Sequence, residues 1–218
     1  MTMGSVSESS AVVETRVVHE VHRVATTLLA EAAVRPSVPL DALAQLRDFL
    51  VGNLRHHHET EDHDLWPRIV AAAPALATAL DGLSEEHEAL ADALDALAGV
   101  NLNGHENDTG ADVRAALRDA AETVRGIVHD HLAHEEPLLL PALRDHVSPA
   151  AWQDFAQRVI ATTPPVAGHL MVGFLDEAGS PDEVELVLAG LPEPVRPLLP
   201  AMRRQAADDL RILRGTGS

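Results

Sequence analysis

At two places 74 positions apart, the chain sets a histidine four residues before a glutamate on the apolar stripe of a helical segment: His57 with Glu61, and His131 with Glu135. At roughly 100° per residue, Leu43, Leu46, Leu50 and Leu54 fall within about 60° of His57, and Glu61 within about 40°. The same step carries that rail onto Leu117, Ala120, Val124 and Val128, and carries Asp62, Leu65 and Pro67 onto Glu136, Leu139 and Pro141. A buried imidazole or carboxylate is costly unless it is hydrogen-bonded, paired or bound to metal. One such pair could satisfy itself. Two in register argue for separate helices delivering donors to one interior, as in a metal site within a helical bundle. His58 and Asp62 share the spacing but turn to about 100° and 140°, and are expected on the polar flank.

Every long segment up to Val147 reads as an amphipathic helix, with no alternating strand between them. The sequence therefore predicts an all-α chain: a disordered tail over 1–10, an antiparallel up-down-up-down four-helix bundle over 11–147, and a C-terminal helical extension over 148–218. The first helix spans about Ala11 to Val34 and carries His19 and His22, of which periodicity slightly favours His22. The second, about Leu40 to Ala72, is expected to kink or end at Pro67. The third opens with Ser84 as its N-cap and places His87 in the stripe Leu83, Leu90, Ala91, Leu94 and Leu97. Gly99 to Gly110 reads as a loop. The fourth runs from about Ala111 to Asp145 and is expected to break near Pro137 or Pro141.

In the extension, Ser148-Pro149 and Ser180-Pro181 have the form of an N-cap followed by proline at the first helical position. They predict helices near 149–161 and 181–189, with others near 170–177 and 197–214. Trp152, Phe155 and Phe174 are expected to pack this segment onto the bundle or onto a second subunit, a route to a homodimer. The cluster Arg203, Arg204, Arg211 and Arg214 suits a helix C-terminus. His169 has no partner that the sequence identifies.

The net charge is −18 and all sixteen basic residues are Arg, which argues against binding phosphate backbones or anionic membranes. With no cysteine, thiolate sites and iron–sulfur clusters are excluded. The polar opening decapeptide lacks the form of a secretory signal, and no apolar run reaches about 18 residues. A cytoplasmic protein is expected.

The inward-facing donors are then His19 or His22, His57, Glu61, His87, His131 and Glu135. Imidazole with carboxylate suits Fe, Mn or Zn rather than Ca or Mg. Two carboxylates from facing helices can each bridge a pair of ions and leave the histidines terminal. With a bridging oxide or hydroxide, about two of twelve octahedral positions stay open for a small ligand. Glu-x-x-His, HExxH and a Walker-type loop are all absent, as is any Tyr, which removes ferritin-like, zincin and tyrosyl-radical alternatives.

The strings VVHEVHR, HHHETED…LWP, EEHEAL and HLAHEE…LLLP resemble the hemerythrin-like HHE cation-binding domain, over roughly residues 11–147. The resemblance implies a non-haem di-iron centre that binds or senses oxygen, nitric oxide or peroxide. Zn or Mn could replace iron in a purified sample. It favours His19 over His22, with His57, His87 and His131 as the other terminal ligands and Glu61 and Glu135 as bridges. Oxygen-carrying members have a second histidine where this chain has Ala91, a departure that weighs against simple reversible carriage unless His22 fills the place. Their usual spacing of five from the last histidine would point to Glu136, whereas the internal register and the helical wheel point to Glu135. A catalase-like enzyme is the alternative function. A second alternative is a metal-stabilised bundle with a partner-binding tail.

Overall fold

The computed structural model describes residues 8–102 and 110–216, and they form helices without a strand among them. Helix α1 spans Ser10–Ala33 and α2 Leu40–Thr60; a single π turn, Glu61–Leu65, joins α2 to α3, Trp66–Ala72. After a 3₁₀ turn at Pro74–Leu76 come α4, Ala77–Ala98, and α5, Gly110–His146. The extension holds α6 (Pro149–Thr162), α7 (Gly168–Ala178), α8 (Pro181–Ala189) and α9 (Leu199–Leu213). Packing runs from α1 to α2, α2 to α4, α4 to α5 and α5 back to α1, the closed ring of a four-helix bundle. No helix among the described residues is long and apolar enough to cross a membrane.

Several boundaries differ from expectation. Ser9 caps α1 from outside, its hydroxyl accepting the Val12 N–H at 3.4 Å, so Ser9 and Ser10 belong to the helix start and not to the expected tail. The rest of that tail through residue 7 lies outside the described residues, as do residues 103–109 of the expected loop. Ser84 is not an N-cap. Helix α4 begins seven residues earlier, and Ser84 donates from inside it to Asp62.

The prolines interrupt less than expected. Helix α5 is continuous through Pro137 and Pro141, because both lie on the exposed face, where the carbonyls that lose their N–H partners can be hydrated. Pro67 does not end the second rod either. The π turn just before it absorbs the disruption, with the Trp66 N–H bonding five residues back to Glu61.

Helix α1 is the strut of the molecule. Its small and β-branched residues, Val17, Val21, Ala25, Ala32 and Ala33, are buried on more than one face, as expected of a helix apolar nearly all round. It packs on α2 and α5 within the bundle and on α6, α7 and α8 of the extension. Phe174 of α7 is fully buried and stacks on Phe49 of α2 with ring centroids 5.8 Å apart. The extension thus shares the bundle's core. Gly173 lets α7 meet α9 closely, since a Cβ there would stand 2.6 Å from that of Ala206. His169 gains the partners that the sequence did not reveal: its Nε2 lies 2.8 Å from Asp209 and 3.2 Å from Gln45.

The apolar interior forms two clusters. One holds Leu43, Leu46, Leu50, Leu117 and Val124 with most of the extension, and the other holds Leu65, Trp66, Ile69, Leu139 and Leu143 with Trp152 and Phe155. Between them lies a polar layer made by one stretch from each bundle helix.

Candidate metal centre

Helix α1 brings His19 to that layer, α2 His57 and His58, the π turn Glu61, α4 His87, and α5 His131 and Glu135; all but His57, whose side chain keeps a partly open edge, are buried. Two groups of donors form, His19 with His57 and Glu61, and His58 with His87 and His131; within each group the candidate atoms lie within 4.8 Å of one another. The carboxylates span the groups. Glu61 places Oε1 3.3 Å from His57 Nε2 and Oε2 3.8 Å from His87 Nε2. Glu135 Oε2 lies 3.6 Å from His19 Nε2 and 3.4 Å from His131 Nε2.

Three of these rings are held from behind by carboxylates. Nδ1 of His19 is 3.2 Å from Glu136, that of His87 is 3.0 Å from Asp62, and that of His131 is 2.9 Å from Glu86. An ionised carboxylate only accepts, so Nδ1 carries the proton and Nε2 turns its lone pair inward. Histidines that bind metal are oriented this way by outer carboxylates. Arg23 supports Glu136 at 2.8 Å.

The inner ends lack partners. Among the described residues, Nε2 of His19, His57 and His58, Oε2 of Glu61 and both oxygens of Glu135 are buried without a hydrogen bond. Each such atom costs roughly 1–3 kcal/mol, so their concentration in one layer calls for a bound cation. The separations agree. Two donors at about 2.0–2.1 Å from one ion, roughly at right or tetrahedral angles, stand about 2.9–3.4 Å apart. His87 Nε2 and His131 Nε2 are 3.2 Å apart.

Three of the rings are in the protonation state that favours binding. Burial, reinforced by neighbouring imidazoles, pushes His57 and His58 well below their ordinary value. His87 is also lowered by burial, against the pull of Asp62. These rings are neutral near pH 7, the form that ligates metal. Burial and then the charge of Glu135 push the Glu61 carboxyl well above the usual range. Burial also opposes ionisation of Glu135, but His19 and His131 outweigh it and hold its carboxyl at about 2.

All six donors expected from the sequence meet here, with His19 rather than His22 in the group around His57. His22 Nε2 bonds Asn53 at 2.9 Å, while its ring stands 4.6 Å from that of His57. Glu135 points inward and Glu136 braces His19 from outside. His58 corrects the expectation of an exposed flank: it is buried, 4.4 Å from the His87 ring and 5.2 Å from that of His131. A wheel drawn on one apolar stripe treats a helix as having one neighbour, whereas α2 packs on both α1 and α4, and the flank toward α4 is interior. The partnership of Glu86 with His131 was also missed, since it joins helices 45 positions apart and leaves no local pattern.

A family model described as the hemerythrin HHE cation binding domain matches residues 13–149. No curated protein and no solved structure matches the chain.

Proposed function

Because the chain belongs to the hemerythrin HHE cation-binding family, we propose that it is a non-haem di-iron protein that binds or senses a small oxidant, O2, NO or peroxide. His19 and His57 would hold one ion, and His58, His87 and His131 the other, with Glu61 and Glu135 between them. His58 would then supply the third imidazole on its side, the place that Ala91 leaves without one. When bound, the ions supply redox chemistry and open positions for the oxidant. The chain fixes ring orientation through Glu136, Asp62 and Glu86, and keeps water from the layer with the apolar clusters above and below.

The observation that carries this reading is the convergence of nitrogen and oxygen donors from four helices on one layer, with those of His19, His57, His58, Glu61 and Glu135 left buried and unpartnered. Anaerobic loading with ferrous iron, then exposure to air, is expected to give two irons per chain and an oxo-to-iron absorption band, both lost in His131→Ala. One iron per chain, or retention of zinc alone, would overturn it. Oxygen evolution from hydrogen peroxide by the iron-loaded protein would assign it to the catalase-like alternative.

A further inference from the structure

A cavity of about 140 Å³ lies between the bundle and the extension. Val18 of α1, Leu65 of the π turn, Phe155 and Val159 of α6 and Val187 of α8 make its apolar walls. His57 and Glu61 of the metal layer line it as well, as do Glu14 and Trp152. The space is open on one side, and its volume is close to that of an engineered apolar cavity of about 150 Å³ that admits benzene. The cavity shares Glu14, Trp152, Ala156 and Val187 with a wider groove of about 690 Å³ along α6 and α8.

Three observations give this space a ligand. First, the His57 side chain is 18% exposed, although its Nε2 is buried. The remaining side chains of the layer are nearly closed off, so the cavity reaches the centre at its one open edge. Second, the Trp152 indole lies toward the Glu14 carboxyl without meeting hydrogen-bond geometry, and its buried N–H has no acceptor among the described residues. Third, no cation lines the cavity, and Arg196 on the outer groove is committed to the carbonyls of Ala189 and Leu191. Inside the cavity an anion would meet the carboxyls of Glu14 and Glu61 and a chain of net charge −18. Such a lining suits a molecule that is neutral, apolar over most of its surface, and able to accept one hydrogen bond.

We propose that α6 and α8 turn the flank of the bundle into a binding site for a neutral, mainly apolar organic molecule of about benzene size, carrying one acceptor oxygen, seated between Trp152 and His57. The extension is then a wall of the approach to the centre. That role rests on the di-iron reading, whereas binding itself does not.

Benzyl alcohol is the probe. It is titrated into the full-length chain, as purified and after zinc loading, while the two tryptophan indole N–H resonances are followed. Trp152→Phe assigns them. The expected result is saturable millimolar or tighter binding that shifts the Trp152 resonance most and is weakened at least tenfold by Ala156→Phe, which fills the cavity. Glycerol should shift neither resonance. If Ala156→Phe does not fold, contacts from the probe's ring protons to the methyls of Val159 and Val187 in the unaltered chain decide. Absence of a saturable shift, unchanged affinity in a folded Ala156→Phe, or absence of those contacts overturns the proposal. Benzyl alcohol binding without iron uptake would sink the di-iron reading alone, and iron uptake without benzyl alcohol binding would sink this one alone.

Discussion

His19 and Glu136 sit 117 positions apart and meet through Nδ1 and a carboxylate oxygen at 3.2 Å, while Glu135, next to Glu136 in the chain, faces the opposite nitrogen of the same ring at 3.6 Å. Adjacent glutamates thus divide the work, one bracing the ring and the other sharing its inner side. Loss of such outer carboxylates typically weakens metal affinity about 10–100-fold. Asp62→Asn and Glu86→Gln are each expected to weaken iron binding by about that factor with helix content unchanged. Chelator competition measures the first and circular dichroism the second.

His58 and His56 provide a matched contrast on one helix. His58 is buried among His57, His87 and His131, whereas His56 bonds Thr162 at the surface. His58→Ala should lower the iron content toward one per chain, and His56→Ala should leave it at two, as read by elemental analysis of the purified variants.

Removing the metal should cost stability, because the apo layer leaves inward atoms of His19, His57, His58, Glu61 and Glu135 unpaired. An ion at one hundred times its dissociation constant adds about 2.7 kcal/mol per site by mass action. Thermal unfolding with and without a chelator should show a midpoint several degrees lower when the metal is removed. The shift should shrink in His131→Ala.

Glu183 tests the start of α8. It completes a capping box with Ser180 and pairs with Arg16 at 2.6 Å. The Ser180 backbone and hydroxyl, then Arg16, hold its carboxyl at about 2 instead of 4.5. A depressed folded value means the unfolded chain takes up the proton first, so the stabilisation is complete above about pH 4.5 and is lost as pH falls toward 2. Glu183→Gln should therefore be less stable than the parent at pH 6, with the difference closing by pH 2 in denaturant titrations.

Gly173→Ala should loosen the extension. Its new Cβ would fall 2.6 Å from the Ala206 Cβ and 3.0 Å from Leu210 Cδ1, and overpacking of this kind costs roughly 1–3 kcal/mol. Equilibrium unfolding would register the loss.

The sequence made the fold legible where periodicity and caps agree. Leu43 to Leu54 and Leu117 to Val128 mark the inner faces of α2 and α5, and Ser148 and Ser180 mark the starts of α6 and α8. Proline was the weaker guide. Its effect depends on whether the freed carbonyl meets water, as at Pro137 and Pro141, and sequence does not state that directly. At the centre, Glu61 and Glu135 could be located because each shares a stripe with its own histidine. His58 and Glu86 could not, since their burial and pairing are set by α4 and α5 approaching from the side.

The widened turn at Glu61–Leu65 has a consequence for the whole second rod. One added residue in a turn rephases everything downstream, so the segment through Thr60 keeps step with the donors while Trp66 and Ile69 swing into the cluster of Leu65, Leu139 and Leu143. Helix α5 reaches both clusters unbroken, through Leu117 and Leu139. In the second rod it is the break in phase that brings Trp66 inward beside Leu65.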